Sequence, residues 1–94
     1  MREKEFNEEN VNAIFKEIKT YDEMIAFKND FFNITKFAPY IVPKKNYVNR
    51  YVGNMEKIDD SHIVFYVFNN TRPFVVKRKS SIKRFVNNYK VVVQ

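Results

Sequence analysis

Apolar residues in the first part of the chain return at intervals of three and four. Val11, Ile14, Phe15 and Ile18 fall on one helical face, and Met24, Phe27 and Phe31, with Ile25 and Phe32 beside them, fall on another. Asn7 is placed to cap the first segment, with Glu8 and Glu9 in a first turn whose dipole favours carboxylates. Thr20-Tyr21-Asp22-Glu23 has the form of a capping box, so the pattern predicts one bent helix or two short ones within residues 1–38. Pro39 and Pro43 flank Tyr40-Ile41-Val42, and proline disfavours helix at the residue before it. This stretch reads as an extended connector or a first edge strand.

The period then changes. Tyr47 to Ile58 is rich in Tyr and Val, and His62 to Phe68 is an almost unbroken apolar run bounded by Asp59-Asp60-Ser61 and Asn69-Asn70-Thr71, both with turn chemistry. Five short strands are predicted, at about 46–58, 62–69, 73–79, 81–86 and 89–93. The expected fold is α+β in a single domain, 1–94, with a helical part (1–38) and a β-rich basic part (39–94). In it an N-terminal helix or helix pair packs on a small five-stranded antiparallel barrel or strongly twisted sheet.

Composition narrows the class. Hydrophobic residues make up 45% of the 94, including ten Phe and six Tyr, which is material for one core and argues against disorder. A domain of this size buries only about 60–65% of the surface of its unfolded chain, so self-association as a homo-oligomer would add stability. The chain has no Cys and a single His, His62, so neither a disulfide framework nor a metal site is expected, and no motif calls for a cofactor. The charged stretch Met1 to Asn12 lacks the apolar run of a signal peptide, and no stretch approaches the length of a membrane span. The expectation is a cytoplasmic protein that makes no use of a membrane. Without a secretory route, the sequons at Asn33 and Asn69 are read as chance, and the richness in Asn, Lys, Phe, Tyr and Ile as that of an AT-rich genome.

Charge is unevenly placed. Residues 1–42 carry six Lys/Arg against eight Asp/Glu, and residues 43–94 carry eleven against three, so a net +6 resolves into −2 and +8. The basic residues are densest at Arg72, Lys77, Arg78, Lys79, Lys83 and Arg84. Strand alternation puts Lys77 and Lys79 on one face and Arg78 on the other, with Lys83 and Arg84 dividing likewise on the next strand. On the preceding strand His62, Val64, Tyr66 and Phe68 share a face, and Ile63, Phe65 and Val67 share the opposite one. If the first of these faces is exposed, Tyr66, with Phe68 and Tyr47 or Tyr51, offers rings for stacking on unpaired bases. The plainer alternatives are a solvated edge guarded by Lys and Arg, and a strand buried on both sides.

Two segments carry a family resemblance. Gly53-Asn54-Met55-Glu56-Lys57-Ile58-Asp59 resembles the stretch of the Sm-like family in which a glycine bends the second barrel strand before an acidic turn. Val76-Lys77-Arg78-Lys79-Ser80-Ser81-Ile82 resembles the basic segment and closing Ile of its second motif. The likeness is to the Hfq-like branch, or to small SH3-like barrels generally, and covers residues 46–93. It implies a barrel that contacts RNA. Where the family carries Tyr-Lys-His this chain has Val76-Lys77-Arg78, so Lys77 alone transfers as an RNA-contact position.

Catalysis finds little support. Asp59 with Asp60, or His62 beside Asp60, could form an acid–base pair, but neighbours in a turn usually serve the turn. Ser80 and Ser81 have no histidine–carboxylate partner to activate them, and Gly53 alone cannot build a phosphate-cradling loop. The sequence thus predicts a non-enzymatic domain binding RNA or DNA through Arg72, Lys77, Arg78, Lys79, Lys83, Arg84 and Tyr66. The alternative is a small interaction protein of phage or mobile-element type that binds and modulates a host protein, with an acidic protein surface in place of nucleic acid.

Overall fold

A computed structural model describes residues 6–45 and 49–93. Two helices form from the predicted amphipathic segments. In α1 (Glu8–Phe15) the Asn7 side chain accepts from the backbone N–H of Asn10 at 2.9 Å. In α2 (Tyr21–Thr35) Thr20 Oγ1 accepts from the N–H of Glu23 at 3.2 Å and donates to that residue's carboxylate at 3.0 Å. Of the two options the chain takes the pair of helices, because Thr20 caps a new one. α2 ends on Lys36 at φ 66°, in the left-handed region that halts helical propagation. Val11, Phe15 and Ile18 of the first stripe are buried while Ile14 is exposed, and Met24, Phe27 and Phe31 are buried in the second.

Among the described residues five strands follow: β1 (Tyr40–Pro43), β2 (Arg50–Asp59), β3 (His62–Asn69), β4 (Val75–Ser81) and β5 (Tyr89–Val92), with α3 (Ile82–Asn88) between the last two. β2, β3 and β4 form an antiparallel meander, and β1 pairs antiparallel with β5 in a separate two-stranded sheet. The fold is α+β as expected, but in place of one five-stranded barrel or twisted sheet the strands divide between two antiparallel sheets, and no barrel closes. Among the described residues no ladder joins β1 to β2, and the expected strand at 81–86 is helix. The reason is local. Ile82, Phe85 and Val86 recur at helical spacing and all three are buried, and Ser81 Oγ accepts from the N–H of Arg84 at 3.2 Å as an N-cap. The extended option for Tyr40-Ile41-Val42 holds as β1, and of the strand expected at 46–58, whose residues 46–48 lie outside the described ones, β2 is observed from Arg50.

The core lies between the inner face of the meander and the helices. Ile63, Phe65 and Val67 of β3 meet Phe15, Phe27, Phe85 and Val91, and Phe65 and Phe85 pack edge to face with ring centroids 4.7 Å apart. Full burial of such a side chain contributes roughly 1.5–3 kcal/mol. α1 lies along the outer edge of β5. There the Asn12 amide donates to the carbonyl of Val91 at 2.7 Å and accepts from its N–H at 2.8 Å, and Glu8 Oε1 accepts from the N–H of Val93 at 3.1 Å. Side chains thus take the place of a sixth strand on that edge.

Candidate nucleic-acid interface

The outer face of the meander is set by register. Tyr66 pairs with Lys77, Val64 with Lys79, and Phe68 with Val75, so these side chains share the face opposite Phe65, with Lys77 and Lys79 exposed and Val64 buried between its neighbours. Tyr66 and Phe68 are partly exposed, whereas Ile63, Phe65 and Val67 on the opposite side are buried. The expected division of this strand into two faces therefore holds, and its core face is the one carrying Phe65.

Rings extend this face across the seam between the sheets. Phe68 stacks on Tyr51 at 5.4 Å with an interplanar angle of 17°, and Tyr51 stacks on Tyr40 at 5.8 Å and 21°. Gly53 makes the ladder possible. It lies in a bulge between Val52 and Met55, and a Cβ there would fall 2.0 Å from Phe68 Cε2. Beside Tyr40 and Tyr51 is a cleft of about 310 Å³ also lined by Lys28 of α2, whose ammonium pKa is pushed down by burial. Among the described residues the face and its extension to Tyr40 thus carry four aromatic rings and two exposed lysines, with Glu56, opposite Val64, as a carboxylate on the same side. Tyr47 lies outside the described residues.

The remaining basic residues do not converge there. Arg72 is exposed in the β3–β4 turn, where Asn69 Oδ1 accepts from the N–H groups of Thr71 and Arg72 at 2.8 and 3.1 Å. Lys83 and Arg84 are exposed on α3, beyond the other end of β4, so their expected alternation on a strand is corrected to one helical turn. Arg78 pairs with Phe65 and stands on the inner side of the sheet. There it lines a cleft with Lys44, Lys45, Arg50 and Tyr89, residues that no local period groups together. The signal for them was the weight of Lys44-Lys45 after Pro43. Three separate chain segments must fold together before these cations become neighbours.

The candidate acid–base group resolves into a turn. Asp59 Oδ1 accepts from the N–H of Ser61 at 2.9 Å and lies 2.8 Å from His62 Nδ1, which is itself 3.1 Å from Ser61 Oγ. Both contacts fall on one ring nitrogen. A serine–histidine–carboxylate relay needs the hydroxyl and the carboxylate on opposite nitrogens. The hydrogen bond with His62, then that from Ser61, hold Asp59 below its usual carboxylate range. Asp60 forms an ion pair with Lys57 at 3.2 Å, and its carbonyl accepts from the N–H of Tyr21 at 2.7 Å, tying the turn to α2. Among the described residues no three His, Cys, Asp or Glu side chains are grouped as a metal site would require, and no helix is long and apolar enough to cross a membrane. In comparisons with known proteins, the chain matches no family model, no curated protein and no solved structure.

Proposed function

We propose that this is a non-enzymatic domain of the cytoplasm that binds single-stranded RNA or DNA on the outer face of the β2–β3–β4 meander. The observation that carries this reading is the pairing of Tyr66 with Lys77, next to Lys79 and beside the Phe68–Tyr51–Tyr40 ladder. Lysines at this spacing meet successive phosphates, and the π-faces between them suit unpaired bases. The lysines keep their charge available. Among the described residues the carboxylates of Asp60 and Asp59 are engaged by Lys57 and by the His62 ring, and neither contact uses Lys77 or Lys79.

The resemblance to Sm-like and SH3-like barrels belongs to the same proposal. What supports it is Lys77, the one RNA-contact position that the resemblance carries over, which sits on the face named here. A second reading, a small protein of phage or mobile-element type gripping a host protein, is favoured by Phe32 and Phe37, which are 52% and 73% exposed.

The test is a titration of labelled single-stranded oligonucleotides over a range of salt. Binding should weaken steeply with salt, and the double substitution Lys77→Ala/Lys79→Ala should lower the slope of log K against log salt by about 2, one per phosphate contact. Tyr66→Ala should cost roughly 1–3 kcal/mol of affinity with little change in slope. Undetectable binding at about 50 mM salt would overturn the nucleic-acid reading and leave the protein-partner one standing.

A further inference from the structure

On the other side of the sheet, where the two sheets part, lies a cleft of about 380 Å³. Arg50 and Arg78 enter it from the inner face of β2 and β4, and Lys44 and Lys45 wall it after β1. Tyr89 lines it as well, its ring stacked on Phe85 at 4.7 Å and packed edge-on against Phe65 at 5.3 Å. The wall is tied in place, since the backbone N–H of Lys44 donates to the carbonyl of Asn88 at 2.9 Å. Among the described residues no carboxylate lines this cleft, and none of the four cations takes part in an ion pair.

Four like charges around one concavity repel one another, and an edge guarded against aggregation would spread its lysines outward. Convergence on a hollow is the arrangement that an anion rewards. Two guanidinium groups supply the planar forks that match phosphate oxygens, and the lysines add point charge. We propose that this cleft binds the terminal phosphate of a phosphomonoester ligand. A monoester carries about −1.5 to −2 charges at neutral pH and three free oxygens, which four cations in a hollow can engage together. An interior diester carries one charge, for which the exposed lysines of the outer face suffice. The site is separate from that outer face and does not depend on the reading of it.

The experiment is a titration of the ¹⁵N-labelled full chain with adenosine monophosphate, inorganic phosphate and adenosine, followed by amide shifts. The phosphate-bearing probes should move Lys44, Arg78, Asn88 and Tyr89 with Kd about 1 mM or tighter, and adenosine should not. Arg78→Lys should weaken binding by about tenfold while keeping the charge, because the fork is lost. Arg50→Ala/Arg78→Ala should abolish it, and Lys77→Ala/Lys79→Ala should leave it unchanged. Equal shifts with adenosine, shifts confined to Lys77 and Lys79, or no shifts at all would each overturn the proposal. The source of the phosphate is read from a pair of oligonucleotides differing only in a 5′-phosphate. Tighter binding of the phosphorylated strand, lost in Arg78→Lys, assigns the cleft to strand ends, and equal binding alongside intact nucleotide binding assigns it to free nucleotides.

Discussion

A single atom's worth of space decides the aromatic ladder. At Gly53 the Phe68 ring occupies the volume that any side chain would need, so Gly53→Ala must drive the ring off Tyr51. Overpacking of a well-packed core costs about 1–3 kcal/mol, and the partly exposed Phe68 ring, free to swing outward, places this change at the low end of that range. Urea denaturation should show that loss, and the ring-current shifts of Tyr51 should collapse with it. A Gly53→Ala variant of unchanged stability and unchanged shifts would refute the contact. At this scale strand period was a good guide: alternation placed Tyr66 with Phe68 and Lys77 with Lys79, and set Arg78 apart from them. It could not reveal the company Arg78 keeps. Lys44, Arg50 and Tyr89 reach that residue through tertiary folding, which no local period encodes.

Among the elements, the residues after β4 show where local pattern misleads. Ser81-Ile82-Lys83-Arg84-Phe85 follows a strand and is flanked by Asn-rich turn chemistry, which favours reading it as another strand. Yet Ile82, Phe85 and Val86 form a helical stripe, and Ser81 stands where an N-cap belongs. The usual acidic first turn is missing, with Lys83 and Arg84 in its place, so a main helix-start signal is absent. Ser81 therefore carries much of the local specification. Ser81→Ala should cost about 0.5–2 kcal/mol. Thermal unfolding should register this as a fall of about 4–8 °C per kcal/mol for a domain of this size, whereas a neighbouring Ser80→Ala should be milder. The first two helices were legible because both caps and both stripes agree.

Across the whole molecule, stability should decline on the alkaline side for an identifiable reason. Burial raises the Tyr89 phenol above its ordinary value of 10.0, although Arg78 and then Arg50 oppose the shift. Below that value both folded and unfolded chains hold the proton and nothing changes. Above it the unfolded chain ionises first, so the free energy of unfolding falls as pH rises through the interval. Tyr89→Phe should flatten the loss, as measured by urea midpoints at successive pH values. At the acid end, Asp59 acts in the opposite sense. Its lowered pKa contributes stability that is present above the ordinary carboxylate value and is lost as pH falls through the folded one. The ladder joining β1 to β5 bears on how the chain reaches this state at all. It pairs residues about 50 positions apart, Tyr40 with Val92, whereas the meander joins neighbours through turns. Loop-closure entropy makes local pairings early and distant ones late. The meander is thus expected to form first, and β1 cannot complete its ladder until β5 has left the synthesising machinery.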